Sequence, residues 1–138
     1  MLVKEAMSTK IETVTPKTTV HDCARKMNQT EIGVLAVWED GQLIGMVTDR
    51  DVCCRAVAKG RDPATTTARE IMTKDTVSCF EDQDCAEAAH LMESKRLRRV
   101  AVVNRKNAMV GLLSVDDLAR YSHKLAGEVL EAASPWPH

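Results

Sequence analysis

Two stretches, GMVTDRDV at Gly45 to Val52 and GLLSVDDL at Gly111 to Leu118, each end a short apolar run with a hydroxyl residue and place an aspartate three positions later. Thr48 with Asp51, and Ser114 with Asp117, are therefore the side chains whose types and spacing can do chemistry. At the start of a helix such a pair can act as a cap. The hydroxyl accepts an orphaned backbone N–H, the acid reaches back, and the helix dipole favours the negative charge. The same groups can hold a ligand, because free N–H groups at a helix N-terminus take a phosphate and a nearby carboxylate accepts the hydroxyls of a ribose. One such phrase alone reads as a cap. Two at the same point of a repeated unit favour a pair of sugar-phosphate sites, and the two roles are compatible.

A second cluster, SKRLRRV, sets Lys95, Arg96, Arg98 and Arg99 where a helix should give way to a strand. Cations there complement the helix dipole and are commonly solvated, yet a guanidinium also matches a phosphate. The first half has Gly33-Val34 at the matching place, so the second site is expected to prefer phosphorylated ligands, with Arg50 a partial compensation in the first. Five cysteines, Cys23, Cys53, Cys54, Cys79 and Cys85, contain no C-x-x-C pair, which argues against a disulfide framework or a zinc site and for buried or inert thiols. A redox role for adjacent Cys53 and Cys54 is disfavoured, since neighbouring residues form strained disulfides. The four histidines lack metal-ligand spacing, and no metal site is expected. There is no P-loop, no G-x-S-x-G and no H-E-x-x-H, so no catalytic residue is assigned and the chain reads as non-enzymatic.

Composition narrows the partners. A net charge of -1 and only four aromatics argue against nucleic acid and against an anionic membrane surface. No apolar run reaches membrane-spanning length and the N-terminus MLVKEAMSTK lacks a signal-peptide core, so a cytoplasmic location is expected.

The elements that must position these residues come as an internal repeat. Val20, Cys23, Ala24 and Met27 share one helix face, and Cys85, Ala88, Ala89 and Met92 repeat the spacing. Each helix is followed by a hairpin pattern, VLAVWEDGQLIGMV turning at Asp40-Gly41 and VAVVNRKNAMVGLL turning through a loop one residue longer. ETVTP and DTVSC read as short upstream strands, which equates Val14 with Val77 and Pro16 with Cys79 and calls for an insertion around FEDQD in the second copy. VKEAM and AREIM give each half a leading helical turn. GRDPATTT, residues 60 to 67, reads as a linker, which divides the chain into 1–64 and 65–138, the latter with a C-terminal helix and short tail. That last helix is expected from about Ser114, with Leu118, Tyr121, Leu125 and Val129 on one face. The fold class is α/β, two tandem units of strand-helix-strand-strand-helix. About 65 residues bury too little surface to be robust alone, so the halves should pack on each other.

This order of elements, duplicated and carrying GMVTDRDV and GLLSVDDL, resembles the cystathionine beta-synthase domain pair, the CBS or Bateman module, over essentially the whole chain. The resemblance implies two repeats packed sheet to sheet about a pseudo-two-fold axis. It also implies that AMP, ADP, ATP or S-adenosylmethionine binds in clefts between them, without a required cofactor. Thr48 with Asp51 and Ser114 with Asp117 then match the ribose and phosphate segment, while Thr13, Val14, Thr15, Thr76 and Val77 match the strand lining the base pocket. Arg98 and Arg99 fall where phosphate contacts are often made. Ala36 and Ala101 replace a proline common in the family. Output would pass through altered repeat or dimer arrangement, with a homodimer and an unidentified effector protein as partners. The alternative is a dimerisation or partner-binding scaffold with vestigial clefts.

Overall fold

The computed structural model describes residues 1–74 and 77–134. The chain divides into two compact units, one formed by Ile11–Thr76 (the first unit) and the other by Met1–Lys10 with the chain from Val77 onward (the second unit).

In the first unit, β1 (Thr13–Val14) runs parallel to β2 (Val34–Glu39), which pairs antiparallel with β3 (Gln42–Thr48). Helix α2 (Val20–Thr30) crosses between β1 and β2; Thr19 caps it by accepting the Asp22 N–H at 3.2 Å, and Glu31 ends it in the left-handed conformation. The hairpin turns where the sequence places it, Asp40 and Gly41 both adopting positive φ between the paired Glu39 and Gln42, as a two-residue turn matched to strand twist requires. The core gathers Val14, Val20, Cys23, Leu35, Val37, Val47 and Ile71. After β3 the chain enters α3 (Asp49–Asp51), which continues as a π-helical segment (Val52–Val57).

The second unit repeats the plan with β4 (Ser78–Phe80), α5 (Cys85–Lys95), β5 (Arg99–Val103) and β6 (Met109–Ser114). Cys85, Ala88, Ala89 and Met92 are all buried in its core, as their spacing predicts. The long final helix expected from Ser114 is instead two helices, α6 (Val115–Ala119) and α7 (His123–Ala133). Ser122 is the reason. Its N–H closes the first helix on the Leu118 carbonyl at 2.7 Å, and its hydroxyl caps the second by accepting the Leu125 N–H. Tyr121, expected on the apolar face, falls in this break and is 51% exposed.

Strand register corrects the sequence alignment of the copies. Thr13 pairs with Ala36 and Ser78 with Ala101, so Thr13 corresponds to Ser78 and Val14 to Cys79, not to Val77. From there Val20 and Cys85 open their helices at the same interval, and no insertion exists around FEDQD. The similar wording of ETVTP and DTVSC misled because apolar-polar alternation tolerates a two-residue slip without exchanging faces.

The leading turns α1 (Val3–Ala6) and α4 (Ala68–Ile71) dock crosswise to the sequence order. Lys4 N–H bonds the Glu81 carbonyl and Cys85 N–H the Met1 carbonyl, while Arg69 N–H bonds Pro16 and Val20 N–H bonds Thr66. Each turn thus closes a unit whose strands lie in the other half of the sequence, and the compact units cut across the divisions 1–64 and 65–138. Two glycines make room for the chain just after each turn. A methyl group on Gly45 would meet Met72 Sδ at 2.7 Å and the Thr73 carbonyl at 2.9 Å, and one on Gly111 would meet Met7 Sδ at 2.5 Å and the Ser8 carbonyl at 2.8 Å.

Gly45→Ala and Gly111→Ala are each expected to lower stability by about 1–3 kcal/mol, read as a fall in urea midpoint with little change in slope. The buried thiols add a pH signature. Burial is the main cause that pushes Cys23 and Cys79 up to about 11 from an ordinary 9.0, with Asp22 adding to the first and Cys85 to the second. Their protonated forms are favoured by the fold, so the stability they contribute is whole below about pH 9 and is lost as pH rises toward about 11. Urea midpoints measured across that window should fall, and fall less in Cys23→Ala.

Candidate functional site

Thr48 is both the last residue of β3 and the cap of the helix that follows, and Ser114 plays the same two parts between β6 and α6. No loop intervenes. Asp51 N–H donates to Thr48 Oγ1 at 3.1 Å while Thr48 N–H donates to Asp51 Oδ2 at 3.0 Å. At the second junction Asp117 N–H donates to Ser114 Oγ at 3.2 Å, and Asp117 Oδ2 accepts from Ser114 N–H at 2.9 Å and from its hydroxyl at 3.0 Å. The capping reading is thus realised at both. The aspartates are only 8% and 7% exposed.

Each carboxylate keeps one oxygen outside the cap. Asp51 Oδ1 lies 3.6 Å from Arg55 Nε, and Asp117 Oδ1 lies 3.9 Å from Arg120 Nη1, long ion pairs to half-exposed or exposed arginines. At these distances the contacts are weak, so Oδ1 is the less committed oxygen of each carboxylate. Phosphate capture by free helix N–H groups, as expected from sequence, fares differently. In the first unit Asp49 N–H is taken by the Gly33 carbonyl, Arg50 N–H by Asp49 Oδ1 and Asp51 N–H by Thr48. In the second, Val115 N–H bonds the Arg98 carbonyl and Asp117 N–H bonds Ser114. The first helix start has these three donors committed, and the second has two committed, to the Arg98 carbonyl and to Ser114.

Register makes the charge difference between the junctions explicit. Val34 pairs with Thr48 and Arg99 with Ser114, so the arginine pair of the second unit sits where Gly33 and Val34 sit in the first. Arg98 is exposed and Arg99 half-buried. Gly33 has a further meaning, because a Cβ there would lie 2.8 Å from Asp49 Oδ2. An additional carboxylate therefore leans over the first junction at the place where Val115 stands in the second.

Of the strand residues, Thr13 is exposed, Val14 is buried in the core, and Thr15 is occupied locally, its N–H donating to Thr18 Oγ1 at 3.1 Å with the two hydroxyls 3.2 Å apart. Val77 packs against the core of the second unit, and Thr76 lies outside the described residues. By register Ser78 stands in Thr13's place. Sequence reading missed three neighbours. Lys26 Nζ donates to the Thr13 carbonyl at 2.5 Å and pairs with Glu12; Asp49 covers Gly33; Arg55 Nη1 bonds the carbonyls of Ile71 and Met72 while its Nε faces Asp51. Only Arg55 carried a signal, an acid four residues N-terminal to a base on one helix. A separate open groove of about 480 Å³ between α5 and α7 is lined by His90, Glu93, Ser94, Arg96 and Ala132, none of them an expected site residue.

A strand-to-helix junction with a reciprocal cap, occurring once in each of two like units, defines a duplicated α/β module. The chain belongs to the CBS domain family, whose model matches residues 3–56 and again 68–124. The CBS domain-containing protein YhcV of Bacillus subtilis (strain 168) is 37% identical over 130 residues, 93% of this chain and 91% of that protein. A CBS domain protein of unknown function from Thermoplasma acidophilum, TA0289, superposes with TM-score 0.87 at 28% identity, over 96% of this chain and 75% of that one. The CBS domain pair of protein MJ0100, solved in complex with 5′-methylthioadenosine and S-adenosyl-L-methionine, gives TM-score 0.77 at 26% identity, over 87% of this chain and 94% of that one.

Replacing Asp51 or Asp117 by alanine removes a reciprocal cap and is expected to lower stability by about 0.5–2 kcal/mol, whereas Asp116→Ala, with an exposed side chain, should change it by about 0.5 kcal/mol or less; thermal unfolding of the three variants checks this.

Proposed function

We propose that the chain is a non-enzymatic regulatory module that binds adenosine-containing compounds at its two strand-to-helix junctions and signals through altered arrangement of its repeats or of associated copies. The observation that carries this reading is the pair of buried capping aspartates, each with Oδ2 committed to the cap and Oδ1 left to a long, exchangeable ion pair. A ribose hydroxyl can replace that ion pair without undoing the cap. Likeness to a CBS pair bound to S-adenosyl-L-methionine and 5′-methylthioadenosine supports adenosine as the shared ligand part.

Charge assigns ligands to junctions. Ser114, Asp117, Arg98 and Arg99 suit a phosphorylated ligand such as AMP, ADP or ATP, the guanidinium forks matching the geometry of a phosphate. Thr48 and Asp51, where Asp49 offsets the nearby Arg50 and Arg55, carry less positive charge than the second junction and suit an uncharged adenosine compound or a cationic sulfonium such as S-adenosylmethionine. The strand positions Thr13 and Ser78, equivalent by register, would face the base, with Val14, Thr15 and Val77 beside them and Thr76 outside the described residues. A cytoplasmic homodimer acting on an effector protein completes the reading.

Calorimetric titration of the protein with AMP, ADP, ATP, adenosine and S-adenosylmethionine tests it. At least one nucleotide should bind, and at one hundred times its dissociation constant should stabilise the fold by about 2.7 kcal/mol. Asp117→Asn should weaken nucleotide binding by about tenfold or more, the loss of one charge-assisted hydrogen bond, and Arg99→Ala should weaken AMP and ATP but not adenosine. A folded protein that binds none of the five would leave only a scaffold.

A further inference from the structure

The cysteines divide by environment. Cys23, Cys79 and Cys85 are buried, while Cys53 and Cys54 are exposed and adjacent. This pair has no counterpart in the second unit, where Ala119 and Arg120 follow Asp117 at the same interval, so it is an addition to one copy and not part of the duplicated site.

The backbone beneath the pair is unusual. Ala58 N–H donates to the Cys53 carbonyl at 2.8 Å and Arg61 N–H to the Ala56 carbonyl at 3.0 Å, both five residues back. This bonding widens the helical turn, so consecutive side chains diverge by less than the roughly 100° of an α-helix. Both side chains are exposed to solvent on this widened turn.

Direct closure to a disulfide remains unfavourable, because consecutive Cα atoms lie nearer than the usual disulfide span. A bridging atom removes the difficulty by inserting two bonds between the sulfurs. A structural zinc ion does not fit, since it takes four protein ligands and the described residues contain no group of three or more His, Cys, Asp or Glu able to hold a metal. Trivalent arsenic bearing its own organic substituent needs only two thiols.

We propose that Cys53 and Cys54 form a two-sulfur binding site for thiophilic trivalent arsenicals of the class R–As=O. The reaction balances without an oxidant or reductant. Two As–S bonds form, the As–O bond breaks, both thiol protons leave with the oxide oxygen as water, and arsenic stays trivalent. The site stands independently of any adenosine ligand.

Phenylarsine oxide added to the full chain tests the site by intact-protein and peptide mass spectrometry. One equivalent should add to the peptide carrying both cysteines with loss of one water, and should be released by ethanedithiol but not by a monothiol at equal thiol concentration. Cys53→Ser and Cys54→Ser should each weaken retention by roughly 10²–10⁴, the gain that a second tethered contact confers. Both positions are exposed, so these variants should keep the parent melting temperature. Unchanged retention in either single variant, two separate adducts, or an adduct at Cys23, Cys79 or Cys85 would overturn the assignment.

Discussion

When Asp51 accepts the Thr48 N–H and Thr48 accepts the Asp51 N–H in return, a strand becomes a helix within a single residue. The same exchange occurs between Asp117 and Ser114. Because no loop absorbs error at either place, strand register directly fixes where the helix points. The helix after Thr48 then buries Ala56, and the one after Ser114 buries Val115 and Leu118, each against its own unit's core. A buried carboxylate would be costly without partners, and the cap supplies them to Oδ2. What remains is Oδ1, held in one orientation by bonds made elsewhere on the same group. A carboxylate held this way is ordered in advance, which on the proposed function would lower the ordering entropy that binding must offset.

The crosswise docking of the leading turns places a second constraint on the chain. A unit of about 65 residues buries a modest fraction of its surface, and here each unit also lacks its closing turn unless the other half of the sequence supplies it. Backbone bonds carry the exchange, from Lys4 to Glu81 and from Arg69 to Pro16, and Gly45 and Gly111 admit the segments that follow. The duplication is therefore structural as well as historical, since one half of the sequence alone cannot complete either unit.

Legibility in the sequence followed the range of each interaction. The buried face of α5, the Asp40-Gly41 turn and both caps rest on contacts within a few residues, and all stood in the one-dimensional pattern. The alignment of Val14 with Val77 failed because neither strand shows which residue of the next strand it meets; the pairing of Ser78 with Ala101 is a long-range fact. The break at Ser122 was hidden by an apolar spacing that continued through it, although a serine three residues before Leu125 is itself a capping signal. Lys26 and Asp49 owe their roles to residues across the fold, Thr13 and Gly33, and no periodicity points to them.

The two junctions share a cap and differ in nearly everything around it, which follows from how little the cap demands. It needs a hydroxyl, a carboxylate three residues on, and backbone. Positions flanking it are free to change charge without disturbing the strand-to-helix transition, and they have done so: Gly33 and Val34 against Arg98 and Arg99, Asp49 against Val115. Arg55 and Tyr121 occupy like positions after the caps, and each reaches a backbone carbonyl at the end of the docked leading turn, Arg55 at Ile71 and Met72 and Tyr121 at Glu5. Only Arg55 also faces its capping aspartate. The cation facing Asp51 Oδ1 is already bonded to the end of α4, whereas Arg120, which faces Asp117 Oδ1, has no bond to α1 among the described residues. The first capping aspartate is thus linked through Arg55 to its leading turn, and on the proposed function a ligand at Asp51 would disturb that link.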